Sequence, residues 1–253
     1  MKKLIIGVVL ALGFTVVSPV NAADEKVLVI IDSAIDSSKI PGVIYEACFT
    51  SNQSCANGKS FAEGAGTANV PNWSISNIDH GYNITQAAKL VAPNVKIIFV
   101  RISDVFPTSF LNSGDALDKA IKWVSENASK YSVDAVSISQ SRINFTAGTC
   151  PTNLVFSAAV QSLKAQGIPV HVATGNDGKN NMVGFPSCVT DVIGVGATKP
   201  SGPLATYTNS GPGMDVTFRG DVIVNNYKNV KTTVTGTSVA APMFSALYVA
   251  NKA

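Results

Sequence analysis

The chain carries only two histidines, so a histidine that moves protons must be His80 or His171. His171 lies inside the apolar run IPVHVA and reads as a packed, hydrogen-bonded core histidine. His80 opens the helical stretch HGYNITQAAKL after a long polar loop, and Gly81 beside it lets another segment approach closely. Ser238 sits in GTSVAAPMFSALYV. Gly236 permits a tight turn, Ala240, Ala241, Phe244 and Leu247 supply a buried helix face, and Pro242 is expected in the first turn, where a missing N–H is tolerated. A serine at that helix start has its Oγ near exposed N–H groups and the positive end of the dipole, which suit a developing oxyanion. Asp32 follows directly on VLVII, and Asn176 follows IPVHVA with an amide able to donate. Singly, each has a bland role: Asp32 and Asn176 as turn residues, Ser238 as a helix cap. What must be explained is that all four occur together, in the order Asp, His, Asn, Ser.

Such groups need rigid elements to hold them. Val27 to Ile31, Val95 to Val100, Ala135 to Ile138, Ile168 to Ala173 and Val192 to Val195 are continuous apolar runs rich in β-branched residues, as in strands buried on both faces. Between them, Ser113 to Lys130 places Leu117, Ala120, Ile121 and Val124 on one helix face, and Asn153 to Gln166 does the same with Phe156, Val160 and Leu163, ahead of Gly167. The alternation predicts an α/β single domain: an open, mostly parallel β-sheet with helices on both faces. Ligands of such sheets bind beyond the carboxyl ends of the strands, where Asp32 and Asn176 fall. The Asn/Ser/Gly-rich stretches Thr50 to Asn77 and Lys179 to Gly184 are expected as surface loops.

The opening MKKLIIGVVLALGFTVVSPVNA has a basic start, an apolar run from Leu4 to Val17 and a small-residue end, and reads as a signal peptide over residues 1–22. It predicts a secreted or periplasmic protein with no membrane segment once the signal is removed. The net charge of +3 includes Lys2 and Lys3 of that segment, so the remainder is nearly neutral and has no electrostatic footprint for nucleic acid. Four cysteines in an exported chain favour disulfides. Cys48 and Cys55 flank one short polar loop and are expected to pair, which leaves Cys150 with Cys188. No histidine lies near any of them in sequence and no CxxC occurs, so zinc is not expected. No phosphate loop or two-lobed repeat supports an exported ligand-binding domain.

Across nearly all of residues 23–253 the sequence resembles the subtilases. VLVIIDSAID resembles their Asp motif, HGYNITQAAKLVAPNVKIIFVRI their His motif, DAVSISQS their substrate-binding strand, GIPVHVATGNDG their oxyanion segment, and GTSVAAPMFSAL is a near-complete serine motif. The chain order Asp, His, Ser separates this group from other serine hydrolases. The resemblance implies a three-layer subtilisin-like fold and a serine endopeptidase acting on polypeptides as a monomer. It implies Ser238 as nucleophile, His80 as base, Asp32 as its orienting carboxylate and Asn176 as oxyanion donor. Ser139, Gln140 and Ser141 would align the substrate, and Ala173, Thr174 and Gly175 would line the pocket for the residue before the cut. The sequence departs from the family at Ala34, at Tyr82 and Asn83, and at Ser141, where glycine is usual and the pocket rim is expected to be tighter. The inserted loop of the family's main calcium site is absent, so no cofactor is expected, with weak calcium binding by scattered backbone oxygens left open. Only Ala23 to Lys26 separate the signal from the first strand, so no propeptide is evident, and restraint is expected from a separate inhibitor or chaperone. The alternative is a catalytically silent subtilase fold used for binding.

Overall fold

The computed structural model describes residues 25–146 and 149–252. The expected signal segment lies outside the described residues. In chain order the elements are β1 (Val27–Asp32), β2 (Val43–Phe49), β3 (Phe61–Glu63), α1 (His80–Val91), β4 (Lys96–Arg101), β5 (Ser103–Val105), β6 (Phe110–Asn112), α2 (Gly114–Asn127), β7 (Val133–Ile138), β8 (Arg142–Thr146), α3 (Leu154–Ala165), β9 (Val170–Ala173), β10 (Met182–Phe185), β11 (Ile193–Thr198), β12 (Val216–Arg219), β13 (Asp221–Asn225), β14 (Lys231–Thr235) and α4 (Thr237–Asn251).

One eight-stranded sheet runs in the order β12-β11-β9-β7-β1-β4-β2-β3, parallel except for β3. The alternation of side chains along β1 explains its unbroken apolar run. Val27, Val29 and Ile31 enter a core with Leu117, Ile121 and Val124 of α2 and Phe156, Val160 and Leu163 of α3. Leu28 and Ile30 face the other way, toward Ile84 of α1 and Val239 and Met243 of α4. Both faces of β1 are dry over Val27 to Ile31, which accounts for the unbroken apolar run. β1 lies between β4 and β7, where the strand order reverses, and β9 lies beyond β7. The carboxyl ends of β9, β7 and β1 are therefore neighbours, which brings residues 173–176, 139–141 and Asp32 to one sheet edge.

The two stretches expected as surface loops carry more structure than their composition suggests. Within Thr50 to Asn77, Ala68, Val70 and Ile75 are buried, and β3 pairs with β2. The cause is Glu46, a buried carboxylate that accepts from Gly66 N at 2.8 Å, Ala68 N at 2.9 Å and Ser37 Oγ at 2.5 Å. Lys179 to Gly184 includes the start of β10, which pairs antiparallel with β8 and buries Val183. Both depend on partners far off in sequence, which local composition does not reveal. Pro242 also departs from expectation. It lies in the second turn of α4 rather than the first. A proline there cannot donate to the carbonyl four residues back, that of Ser238. The orphaned oxygen accepts instead from Ser139 Oγ at 2.9 Å, which ties the end of β7 to the start of α4.

Cys48 is joined to Cys55 and Cys150 to Cys188, the pairing expected from the loops. The second bridge spans 38 positions and encloses α3, β9 and β10. Replacing Cys150 and Cys188 together with alanine should cost about 4 kcal/mol by the chain-entropy relation for a loop of that size. Chemical denaturation of the two proteins checks this, with the midpoint moving and the activity per folded molecule as the control.

Candidate active site

Asp32, the last residue of β1, is fully buried. Its Oδ1 accepts from Ser33 N at 2.6 Å and pairs with His80 Nδ1 at 2.8 Å. Its Oδ2 accepts from Gln140 Nε2 at 3.3 Å. The carboxylate thus has three donors in place of water. The aspartate accepts a hydrogen bond from the Nδ1–H of His80, so the neutral imidazole keeps Nε2 as a free acceptor.

The close approach of α1 to β1 fixes His80. A Cβ on Gly81 would stand 2.6 Å from Phe99 Cζ and 2.7 Å from the Ala34 carbonyl oxygen, so only glycine allows the contact. Gly81 N donates to Ser33 Oγ at 2.9 Å, and Ser33 Oγ donates to Ile78 O at 2.9 Å, which pins the helix start to the residue after Asp32. The His80 side chain is 33% exposed. Burial works to lower its pKa, but the Asp32 carboxylate, by charge and by hydrogen bond, and Asp79 more than offset this, and the imidazole titrates above the ordinary value of 6.5.

At the other side stands the start of α4. Gly236 has φ +148°, and a Cβ there would meet Ser238 Oγ at 2.9 Å and Asn176 Nδ2 at 3.1 Å. The orientation of the Asn176 amide follows from its partners. Its Oδ1 accepts from Thr237 N at 2.8 Å and Thr237 Oγ1 at 3.0 Å, so its NH2 faces away from them, toward Ser238. Thr237 Oγ1 in turn accepts from Gly175 N at 3.1 Å.

A cleft of about 370 Å³ gathers these groups; His80, Asn112, Ser139, Gln140, Ser141, Ala173, Gly175, Asn176 and Ser238 all line it. Of the residues expected to line the pocket, Thr174 is the exception. It is fully buried behind the cleft, because side chains alternate along the extended segment and its neighbours take the open side. Ser238 Oγ forms no hydrogen bond with another described residue, His80 Nε2 included. Three participants were not foreseen from sequence. Thr237 orients Asn176. Asn112 donates from Nδ2 to Gln140 Oε1 at 2.6 Å, and Ser103 Oγ donates to Asn112 Oδ1. Thr237 had a signal, its place beside Ser238 in the serine motif. Asn112 and Ser103 had none, since the β5–β6 pair brings them in. Gln140, expected to help align the substrate, lines the cleft, and its amide donates to Asp32. Among the described residues no group of three or more His, Cys, Asp or Glu side chains could hold a metal ion.

The model of the Subtilase family matches residues 50–250. The chain belongs to the subtilase family. Subtilisin-like protease 3 of Pseudogymnoascus destructans is 31% identical over 62% of this chain and 38% of that protein. Minor extracellular protease Epr of Bacillus subtilis is 27% identical over 87% of this chain and 31% of that protein. The chain thus spans well under half the length of these two relatives. Among solved structures, that of a protease from Pseudoalteromonas arctica has the same fold, with a TM-score of 0.68 at 19% identity over 88% of this chain and 76% of that one.

In this subtilase His171 stands apart from the cleft. It is fully buried in β9, packed against the rings of Phe244 and Tyr248, and its Nδ1 lies 3.0 Å from Ser245 Oγ. Ser245 Oγ already donates to Ala241 O at 2.7 Å. Nδ1 must therefore donate to it, and Nε2 is left bare and buried. Burial pushes the His171 pKa down to about 4. A histidine with a depressed folded pKa is protonated first in the unfolded chain, so stability falls with pH from about 6.5 down to about 4, by roughly 3 kcal/mol in all. His80, with its raised pKa, acts with the opposite sign. Melting temperature followed across that window should drop steeply for the native protein and less steeply for His171→Gln.

Proposed function

We propose that this chain is an exported serine endopeptidase that hydrolyses peptide bonds through an acyl-enzyme intermediate. The observation that carries the reading is the convergence on one cleft of the Asp32–His80 pair, Ser238 and an Asn176 amide whose free NH2 faces Ser238. Ser238 Oγ attacks the scissile carbonyl carbon while His80 Nε2 takes its proton. Asp32 holds the imidazole by Nδ1 and stabilises the imidazolium. The carbonyl oxygen becomes an oxyanion, held by Asn176 Nδ2 and the backbone N–H of Ser238. The imidazolium then gives its proton to the leaving amine, the C–N bond breaks, and water, deprotonated by the same nitrogen, hydrolyses the ester. The open Oγ–Nε2 contact is compatible with this, because such contacts tighten when substrate binds.

Export is supported by the two disulfides, which are rare in the reducing cytoplasm and typical of exported proteins. No helix among the described residues is long and apolar enough to cross a membrane. A protein acting on polypeptides in the periplasm or medium fits these features.

The reading is tested with diisopropyl fluorophosphate. The native protein should be phosphorylated at Ser238 and lose peptidase activity, and Ser238→Ala should take no label while staying folded. A native chain that takes no label is the silent binding fold. Asn176→Ala should lower kcat by roughly 10²–10³ with little change in KM, the usual effect of removing one oxyanion donor.

The acid limb follows from His80. Only the neutral imidazole accepts the serine proton, and Asp32 holds its pKa up. The kcat/KM profile of the free enzyme should therefore rise with pH through a midpoint above 6.5. Removing the Asp32 charge in Asp32→Asn should shift that midpoint down as well as lower the rate.

A further inference from the structure

We infer that this peptidase cuts after residues with very small side chains (glycine, alanine or serine), because Ser141 fills the pocket that a larger side chain would need. The inference rests on the peptidase reading and names the substrate class for the same cleft.

The mechanism fixes where the residue before the cut must go. The leaving amine has to face His80, which protonates it. The acyl half of the substrate then runs to the opposite side of Ser238, toward the segments that leave β7 and β9. Those strands are paired as far as Ile138 and Val172. Beyond that point Ser139, Gln140, Ser141, Ala173, Gly175 and Asn176 line the cleft, and the gap between the two segments receives the side chain.

The gap is built on two glycines and closed by a serine. Gly184 lies beneath it, buried, with its N–H donating to Thr174 O at 2.8 Å. A Cβ placed on Gly184 would overlap Ser141 Oγ, and one placed on Gly175 would come within 2.8 Å of the same oxygen. The hydroxyl therefore occupies the space that the absence of side chains at both glycines leaves free. Ser141 lines the cleft, and Gly184 is sealed behind it.

The walls cannot yield to make room. Behind Gly175 stands Asn209, fully buried. Its Oδ1 accepts from Asp177 N and Lys179 N, both at 3.0 Å, and its Nδ2 donates to Asn144 Oδ1 at 2.7 Å. On the other side β8 and β10 are paired, with Val183 opposite Phe145 and Gly184 opposite Asn144, and Cys150–Cys188 ties the segments that follow them. A side chain of one or two heavy atoms ends above the Ser141 hydroxyl. A phenyl ring or a branched aliphatic chain would have to displace it against that frame, and even single methylenes are worth about 10–200-fold in a tight pocket.

The experiment compares hydrolysis of peptides identical except for Gly, Ala, Leu or Phe before the cut, by the native protein, Ser141→Gly and Ser141→Ala. Diisopropyl fluorophosphate labelling of Ser238 and the melting temperature are recorded for each. The native protein should favour Ala over Phe by at least about 100-fold in kcat/KM. Ser141→Gly should raise the Phe-to-Ala ratio by about 100-fold, and Ser141→Ala, which removes only the oxygen, should raise it by less. Equal cleavage after Phe and Ala by the native protein overturns the inference. So does an unchanged ratio in a folded, labelled Ser141→Gly or, should that variant not fold, in Ser141→Ala. A native protein that is not labelled at Ser238 overturns the peptidase reading itself, and the inference with it.

Discussion

A carboxylate with no water around it organises this molecule. Asp32 is taken fully out of solvent at the end of the central strand, and an ion in that position is tolerated only if its lone pairs are met by donors. The Ser33 N–H is supplied locally. His80 arrives on a helix from far along the chain and Gln140 from the neighbouring strand. The demand for donors and the proposed chemistry thus coincide, since one of the groups that meets Asp32 is the imidazole that lines the cleft, the base of the proposed reaction. Gln140 is in turn held by Asn112, and Asn112 by Ser103. The β5–β6 pair is thereby drawn into the support of a charge it does not touch.

Arg101 has a similar problem with the opposite sign. It is aligned with Asp32 across the β1–β4 pair and is fully buried. Burial pushes its pKa down to about 10. Its guanidinium is met by carbonyl oxygens of Asn69 and Ser103, each at 2.9 Å, and by Ser54 Oγ at 3.2 Å. Those contacts pull the long segment between β2 and α1 onto the sheet edge, as Glu46 does from the other end. Two buried charges, rather than apolar contacts alone, order a stretch whose composition is that of a loop.

The start of α4 shows how a helix can be both bent to chemistry and fastened. Pro242 withholds the donor that the Ser238 carbonyl would use, and Ser139 supplies it from the end of β7. The serine is thereby coupled to the strand that lines the acyl side of the cleft. Asn176 is fixed to the same turn through Thr237. Ser238, Asn176 and the wall of the cleft are joined by hydrogen bonds, so their relative positions vary little, as the proposed oxyanion site requires.

Much of this was legible in the sequence, for identifiable reasons. A sheet buried on both faces writes its strands as unbroken apolar runs, and β1, β4, β7, β9 and β11 were readable from them. With two histidines in the chain, and one of them inside such a run, His80 was the only open base. The motif around Ser238 singled out that serine and, through Gly236, the tight turn before it. What the sequence could not carry depends on contacts between distant segments. β3, β8 and β10 are short strands that exist only because a partner lies alongside. Thr174 faces the interior while Ala173 and Gly175 face the cleft, a choice made by register and not by residue type. A serine in place of glycine at position 141 announced a tighter rim, but only the fold put its hydroxyl against Gly184 and Gly175, because the depth of a pocket is a distance between backbones that share no local sequence.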